Sequence, residues 1–323
     1  MCAVSRLLLL SLAFAAPQAA GADAWPSRPI KLIAPVSAGI ATDVVARMLA
    51  ERMSRGLGQQ VYVENVPGAS GTLGTAAAAR AAPDGYTLLF GSSGMLSTNK
   101  FLFKSLPFDL DRDFAPVSIV CKGTPFAVSV YPGLFATSLP ELIALAKAQP
   151  GKLSYAVDIS SGWAGMIGDL LNRQAGIEMV QVPYKTTSQA ISDTMAGTTQ
   201  VMIGSAMSIQ GFVEAGKLRR IAITAAQRFP GMEDSAPAVE TLPGFVFEGW
   251  FAVVAPAGTP LDIVARVHQE IAAFQSEPEA AKRLSGFGCI PAVGATPQST
   301  AEFLAGERER WRKITQDLGV QPQ

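Results

Sequence analysis

The chain has 323 residues, 49% hydrophobic and 16% charged, with 26 basic and 26 acidic side chains. That length holds two domains or one large one and is too apolar for a disordered chain, while zero net charge excludes a general nucleic-acid binder. A single histidine, His268, excludes a histidine-rich metal site, and three cysteines, Cys2, Cys121 and Cys289, cannot build a zinc ribbon or a disulfide scaffold.

Arg6 is the only charge before Asp23, and residues 7–16 form an apolar run of ten broken only by Ser11. A run of ten is too short to span a bilayer, which takes about 20 residues. The basic start, the short apolar run and the small residues Ala19-Ala20-Gly21-Ala22 read as a cleavable secretory signal peptide over residues 1–22, with the mature chain starting at Asp23 or Trp25. No later run approaches membrane length, so an exported, soluble mature protein is expected. An oxidising compartment would permit a disulfide. Cys121 and Cys289 are 168 residues apart with nothing local to join them, and two separately buried thiols are the favoured reading.

Strands and helices then alternate. Residues 30–36 form a β-rich apolar run, followed by a small loop and a helix with Thr42 or Asp43 as N-cap and Val45, Met48, Leu49 and Met53 on one face. A strand at 61–64, a glycine-rich turn at 65–72, a helix at 75–82 and a strand at 86–90 follow. The alternation restarts beyond Pro125, with a strand at 127–131 and an S-x-x-E capping box at Ser138 and Glu141. Strands at 153–157, 179–182, 200–203 and 219–224 alternate with helices at 163–175, 188–196 and 209–215. A strand at 251–255 leads to a helix capped by Thr259 with Pro260 at its first position, and an amphipathic helix covers 297–318. This succession argues for an α/β protein with parallel strands.

The strand-to-helix loops carry the chemical signal. Ser37, Ala38, Gly39, Ile40 and Thr42 lie in the first, Gly71 and Thr72 in the second, Ser92 and Ser93 in the third, and Ser161, Gly162 and Trp163 in a fourth. In open α/β sheets ligands bind beyond the carboxyl ends of the strands, where helix N-termini offer free N–H groups to an anion. Several such loops predict a shared binding cleft. Enzyme motifs fail: residues 68–74 are neither G-x-G-x-x-G nor a phosphate loop, and in G-S-S-G-M at 91–95 Met95 replaces the second glycine of a hydrolase elbow. His268 reads as a solvated helix position. Asp109, Asp111 and Asp113 read as a solvated or capping turn rather than a calcium loop. Arg308, Arg310, Arg312 and Lys313, interleaved with Glu307, Glu309 and Trp311, read as an exposed helix face. No enzyme activity, cofactor or metal is expected.

The strings V-E-N-V-P-G-A at 63–69 and P-D-G-Y-T-L-L at 83–89 resemble the substrate-binding proteins of tripartite tricarboxylate transporters, the Bug family. So do L-P-F-D at 106–109, D-F-A-P-V at 113–117, V-P-Y-K at 182–185 and A-P-A-G-T-P at 255–260, in order along the mature chain. The resemblance implies a two-domain periplasmic-binding-protein (Venus flytrap) fold, each domain a mostly parallel sheet flanked by helices. Domain 1 would comprise 23–125 and 250–323, domain 2 would comprise 126–249, and the two would close by hinge motion. It implies a monomeric periplasmic receptor for a small carboxylate, delivering it to membrane permease subunits; a sensor feeding a signalling receptor, or an enzyme on this scaffold, are the alternatives. It adds Asp43, Tyr184, Thr186, Gly204 and Ser205 to the candidate ligand-binding residues.

The chain departs from the family pattern where ligand identity is decided. Ile40 stands in place of the second glycine of the first loop, and an isoleucine disfavours positive φ. Thr186 replaces a glycine, Gly204 falls where an aspartate is frequent, and Asp158 precedes the fourth loop. Loss of that acid argues against an amino-acid ligand. With Trp163 offering a ring face, these differences favour a carboxylate with an apolar or aromatic body.

Overall fold

The computed structural model describes residues 25–158 and 163–322. Residues 1–22, expected from the sequence to be a signal peptide, with Cys2, and the loop residues Ser161 and Gly162 lie outside them. In chain order the elements are β1 (Ile30–Ala34), α1 (Ala41–Leu57), β2 (Val61–Asn65), α2 (Thr72–Ala79), β3 (Thr87–Ser92), α3 (Asn99–Leu102), β4 (Phe114–Val130), α4 (Leu139–Ala148) and β5 (Ser154–Asp158). There follow α5 (Trp163–Ala175), β6 (Val180–Tyr184), α6 (Thr187–Met195), β7 (Val201–Ser205), α7 (Ala206–Glu214), β8 (Arg219–Ile223) and β9 (Glu248–Pro256). The chain ends with α8 (Leu261–Ser276), α9 (Pro278–Ser285), β10 (Ile290–Pro291) and α10 (Pro297–Leu318).

The strands run in the order β2-β1-β3-β9-β4-β7-β5-β6, with β8 and β10 also paired to β4. Two parallel trios, β2-β1-β3 and β7-β5-β6, flank the antiparallel strands β9 and β4. Each trio is covered on both faces, which is why its inner strands read as apolar runs. On one face of the first trio, Leu49, Met53, Phe90, Ile271 and Phe274 pack together; on the other, Leu89, Trp250 and Leu304 do. The second trio packs Tyr155, Leu171, Phe245 and Trp311 on one face and Ala190, Met202, Ile209 and Met232 on the other.

β4 is the element that composition concealed. Only its end at 127–131 reads as a strand, because Pro116, Gly123 and Pro125 interrupt the preceding residues. The structure absorbs them with register shifts at Pro116/Ser118, Ile119/Cys121 and Lys122/Thr124, and one strand of 17 residues serves both trios.

Several local expectations are corrected. The N-cap of α1 is Ile40, not Thr42 or Asp43. Thr259 does not cap α8; Pro260 holds that position, and the Thr259 hydroxyl donates to the Pro256 carbonyl at 2.8 Å, closing the preceding turn. The Ser138 hydroxyl accepts from Glu141 N–H at 3.4 Å as the capping box requires, but the Glu141 carboxylate reaches one residue further back, to Thr137 N–H at 2.7 Å.

The largest correction concerns the thiols. Cys121 on β4 and Cys289 just before β10 form a disulfide, Cα–Cα 5.5 Å. The antiparallel pairing of Ile290 with Lys122 and of Pro291 with Cys121 brings the segments together, a tertiary contact with no local trace in sequence. Trp311 is not on an exposed face: it is fully buried, and α10 runs from Leu304 in the core of the first trio to Trp311 in that of the second. His268 is half-buried rather than solvated, with Nδ1 buried and without a hydrogen-bond partner among the described residues. Burial pushes its pKa below 6.5.

Candidate functional site

The register makes the loops converge. β3 ends with Ser92 beside Phe251, and Phe251 pairs with Cys121 of β4. β7 runs antiparallel to β4 and ends with Ser205 beside Phe126. The carboxyl ends of the two trios therefore point at each other along β4, separated by the strand from 121 to 126, about 17 Å at the usual rise. The N-termini of α1 and α2 open from one side, and those of α5, α6 and α7 from the other. Unpaired N–H groups and helix dipoles at these ends suit a small anion.

In the first loop Ser37, Ala38, Gly39 and Ile40 are exposed and Thr42 is half-buried. Gly39 takes φ +88°, which only glycine adopts freely. Ile40 sits at φ −81°, ψ 164°, so the position needs no second glycine, and its side chain is 47% exposed. Asp43 is buried in the first turn of α1, and its carboxylate is occupied from within. Oδ2 accepts from Gly39 N–H at 2.8 Å and Arg47 Nε at 3.0 Å, and Oδ1 accepts from Asn65 Nδ2 at 2.8 Å. Arg47 in turn donates to Asn65 Oδ1 at 2.8 Å. Burial raises the Asp43 pKa, but Arg47, Gly39 and Asn65 outweigh it and hold the carboxyl below its usual value. Asp43 thus shapes the loop, its carboxylate spent on Gly39, Arg47 and Asn65.

The second and third loops pack on one another. Ala69 and Ser70 both adopt left-handed φ, at 47° and 52°, a conformation that costs about 1 kcal/mol or more for a non-glycine residue. Asn99 Nδ2 holds the turn through the Ser70 carbonyl at 2.9 Å. A methyl group on Gly71 would lie 2.7 Å from Met95, so the glycine allows the loops to touch. Thr72 and Ser93 are buried and Ser92 half-buried. The hydroxyls of Thr72 and Ser97 are buried without a partner among the described residues.

On the opposite side Trp163 opens α5, Thr186 caps α6 by accepting from Gln189 N–H at 3.3 Å, and Ser205 is the exposed N-cap of α7. Gly204 is buried at the end of β7. Tyr184 is half-buried, and its hydroxyl donates to Asp193 Oδ2 at 2.8 Å; burial and then Asp193 push its pKa up. Trp163 does not offer a ring face. It is 4% exposed, stacked on Phe126 at 5.7 Å and packed on Trp311 at 4.4 Å. Asp158 ends β5, and the next four residues lie outside the described ones.

The acids at 109–113 are engaged locally. Asp109 accepts from Asp111 N–H at 2.8 Å, Asp113 accepts from Asp109 N–H at 2.7 Å, and Asp111 pairs with Arg308 at 2.7 Å and with Lys100. Two surface hollows, of about 620 and 250 Å³, lie away from the convergent loops, beside Asp169 and Arg173 and beside Arg52 and Glu277. Arg47, Asn65 and Asn99 are the residues that composition did not single out. Asn65 lay within the V-E-N string, so a signal for it was present.

Two α/β halves with ligand-type loops facing across shared strands form a two-domain periplasmic-binding-protein fold. The match is specific: residues 45–320 fit the model of the tripartite tricarboxylate transporter family receptor, and the chain belongs to that family, whose members are binding proteins rather than enzymes. It is 34% identical to BugT of Bordetella pertussis, over 98% of this chain and 97% of that one. Among solved structures it is similar to R. palustris Rpa4515 with adipate (TM-score 0.80, 31% identity, 93% of this chain and 100% of that one). It is also similar to MatC from Rhodopseudomonas palustris with bound malate (TM-score 0.75, 28% identity, 90% of this chain and 99% of that one).

Proposed function

We propose that this protein is a periplasmic receptor, exported by a cleaved signal peptide, that captures a small carboxylate between two domains and delivers it to the membrane permease of a tripartite tricarboxylate-type transporter. The domains are 23–125 with 250–323, and 126–249; α10 packs on both. The observation that carries the reading is the convergence of the two sets of strand-end loops on the segment of β4 from 121 to 126. The adipate and malate of the two related structures support a carboxylate as the ligand.

The carboxylate meets backbone amides and helix N-termini rather than a guanidinium, since Arg47 is committed to Asp43 and Asn65. Ile40, exposed at the start of α1, supplies an apolar contact, and Leu73, 56% exposed beside the second loop, extends that character. We therefore favour a dicarboxylate with a methylene body over a short hydroxylated one. With Trp163 covered, an aromatic ring loses the stacking partner it would have needed.

The test is native mass spectrometry of the mature protein purified from rich culture, before and after refolding, followed by thermal shift with adipate and malate. A ligand at 100 times its dissociation constant stabilises by about 2.7 kcal/mol. A co-purified acid lost on refolding, with a shift produced by adipate, is the expected result. No adduct and no shift with either acid would overturn the carboxylate reading.

A further inference from the structure

Three segments connect the halves: β4 at Pro125–Phe126, the chain entering β9 at Phe247, and α10 at Trp311. Each contributes one aromatic ring to a single cluster that contains Trp163. Trp163 stacks on Phe126 (5.7 Å, interplanar angle 16°) and packs on Trp311 (4.4 Å), which meets Phe247 at 5.9 Å. Trp163 is also the first residue of α5, directly after the fourth cleft loop, and its Nε1 lies 3.9 Å from where a methyl group on Gly94 would sit, in the loop after β3. One side chain thus packs on two of the connecting segments and lies near the loop after β3 of the other half.

We propose that Trp163 is a positioning residue that couples occupancy of the cleft to rotation of the hinge. α10 is fixed to the first half by Glu307, which accepts from Trp250 Nε1 at 3.0 Å, and by the Arg308–Asp111 ion pair at 2.7 Å, and to the second half by Arg173 of α5, which donates to the Asp317 carbonyl. Rotation of the halves is therefore taken up along α10 between these anchors, where Trp311 bears on the Trp163 ring. The Trp311 N–H is buried without a partner among the described residues, so its contacts are ring faces and edges, which slide, rather than a directional bond, which would pin one angle. Displacing Trp163 at the cleft shifts this packing and biases the open–closed equilibrium.

The coupling to ligand rests on the proposed cleft; the role of the cluster in setting the hinge does not. Tyr62 on β2 and Val180 on β6 are exposed on the two outermost strands, and cysteines placed there carry spin labels while Cys121 and Cys289 stay paired. Label–label distances are compared in the Tyr62→Cys/Val180→Cys mature protein and in the same protein carrying Trp163→Leu, Trp311→Leu, Trp311→Phe or Leu142→Ala. Leu142, on α4, is buried in the same core but belongs to none of the three connections. Without ligand, the two Trp→Leu changes are expected to broaden the distribution about twofold or to shift its mean, Trp311→Phe to do so less, and Leu142→Ala to leave it unchanged. With adipate as probe, Trp163→Leu is expected to need about 10-fold more ligand to reach the closed distance. Folded Trp variants with the reference distribution, or equal broadening by Leu142→Ala, would overturn the proposal; if a Trp→Leu variant does not fold, Trp311→Phe decides. If adipate moves nothing in the reference protein, the cleft reading suffers while the ligand-free distributions still decide the hinge.

Discussion

Asp43 and Asn65, 22 residues apart in the chain, are joined by a 2.8 Å hydrogen bond from the Asn65 amide to Asp43 Oδ1. One belongs to the T-D pair after the first loop and the other to the V-E-N string, so two separate sequence signatures are halves of one clamp. Its product is the shape of the first loop, because the same carboxylate holds Gly39 N–H. Asn65→Ala removes one partner from a buried carboxylate and is expected to cost about 1–3 kcal/mol by urea unfolding. It should also weaken carboxylate binding through disorder of residues 37–40.

The clamp also has a pH signature. The Asp43 carboxyl is held below its ordinary value of 3.8 in the folded protein, so the unfolded chain binds its proton first as pH falls. The stability it contributes is complete above the unfolded value, near pH 4, and is lost as pH drops through the folded value. Unfolding free energy measured at pH 6 and pH 3 should therefore fall less in Asp43→Asn than in the parent protein. His268 acts at a higher pH: its folded pKa is lowered by burial, so its contribution is present above pH 6.5 and fades below it.

The disulfide closes a loop of 168 residues between the shared strand and β10. Removing a native disulfide typically costs about 2–5 kcal/mol, with long loops at the upper end in the chain-entropy account. Cys121→Ser with Cys289→Ser is expected to lower the urea midpoint accordingly and to make the midpoint insensitive to dithiothreitol, to which the parent responds.

Glycines in two helices should respond oppositely to alanine. A methyl on Gly168 would lie 2.1 Å from the ring of Tyr155, which is fully buried and donates its hydroxyl to Asp169 at 2.7 Å. Overpacking there is expected to cost about 1–3 kcal/mol, exceeding the helix-propensity gain. Gly211 in α7 has no atom within 4 Å of that position, so Gly211→Ala should stabilise by about 0.5–1 kcal/mol. Thermal melts of the two variants should move in opposite directions.

Ile40 bears on ligand choice. Ile40→Ser removes exposed apolar surface at a backbone conformation open to any residue. Adipate affinity measured by calorimetry is expected to fall about 5-fold to 10-fold, equivalent to about 1–1.5 kcal/mol, with malate little changed. Equal loss for both acids would place the methylene body elsewhere.

Much of the fold was legible because it depends on local pattern. α5 and α10 were read to their observed limits, since each has a periodic apolar face and clear end signals; Thr296 caps α10 reciprocally with Ser299. The loops were legible as small, polar strand ends. Their internal bonds were not: Asp43, read as a ligand contact, has its carboxylate committed to the loop, and Trp163, read as a ring face, is enclosed by Phe126 and Trp311.

What the sequence determined by itself is whatever follows from neighbours a few residues apart: the alternation of strands and helices, the apolar faces, the turns, and family motifs long enough to be distinctive. Tertiary structure decided the rest. β4 crosses both halves only because its partners absorb Pro116 and Gly123 through register shifts, and Cys121 meets Cys289 only because β10 pairs with that strand. Trp311, flanked by charges in sequence, is buried because α10 spans two cores. In each case the deciding energy is burial or pairing between residues far apart in the chain, which local composition does not encode.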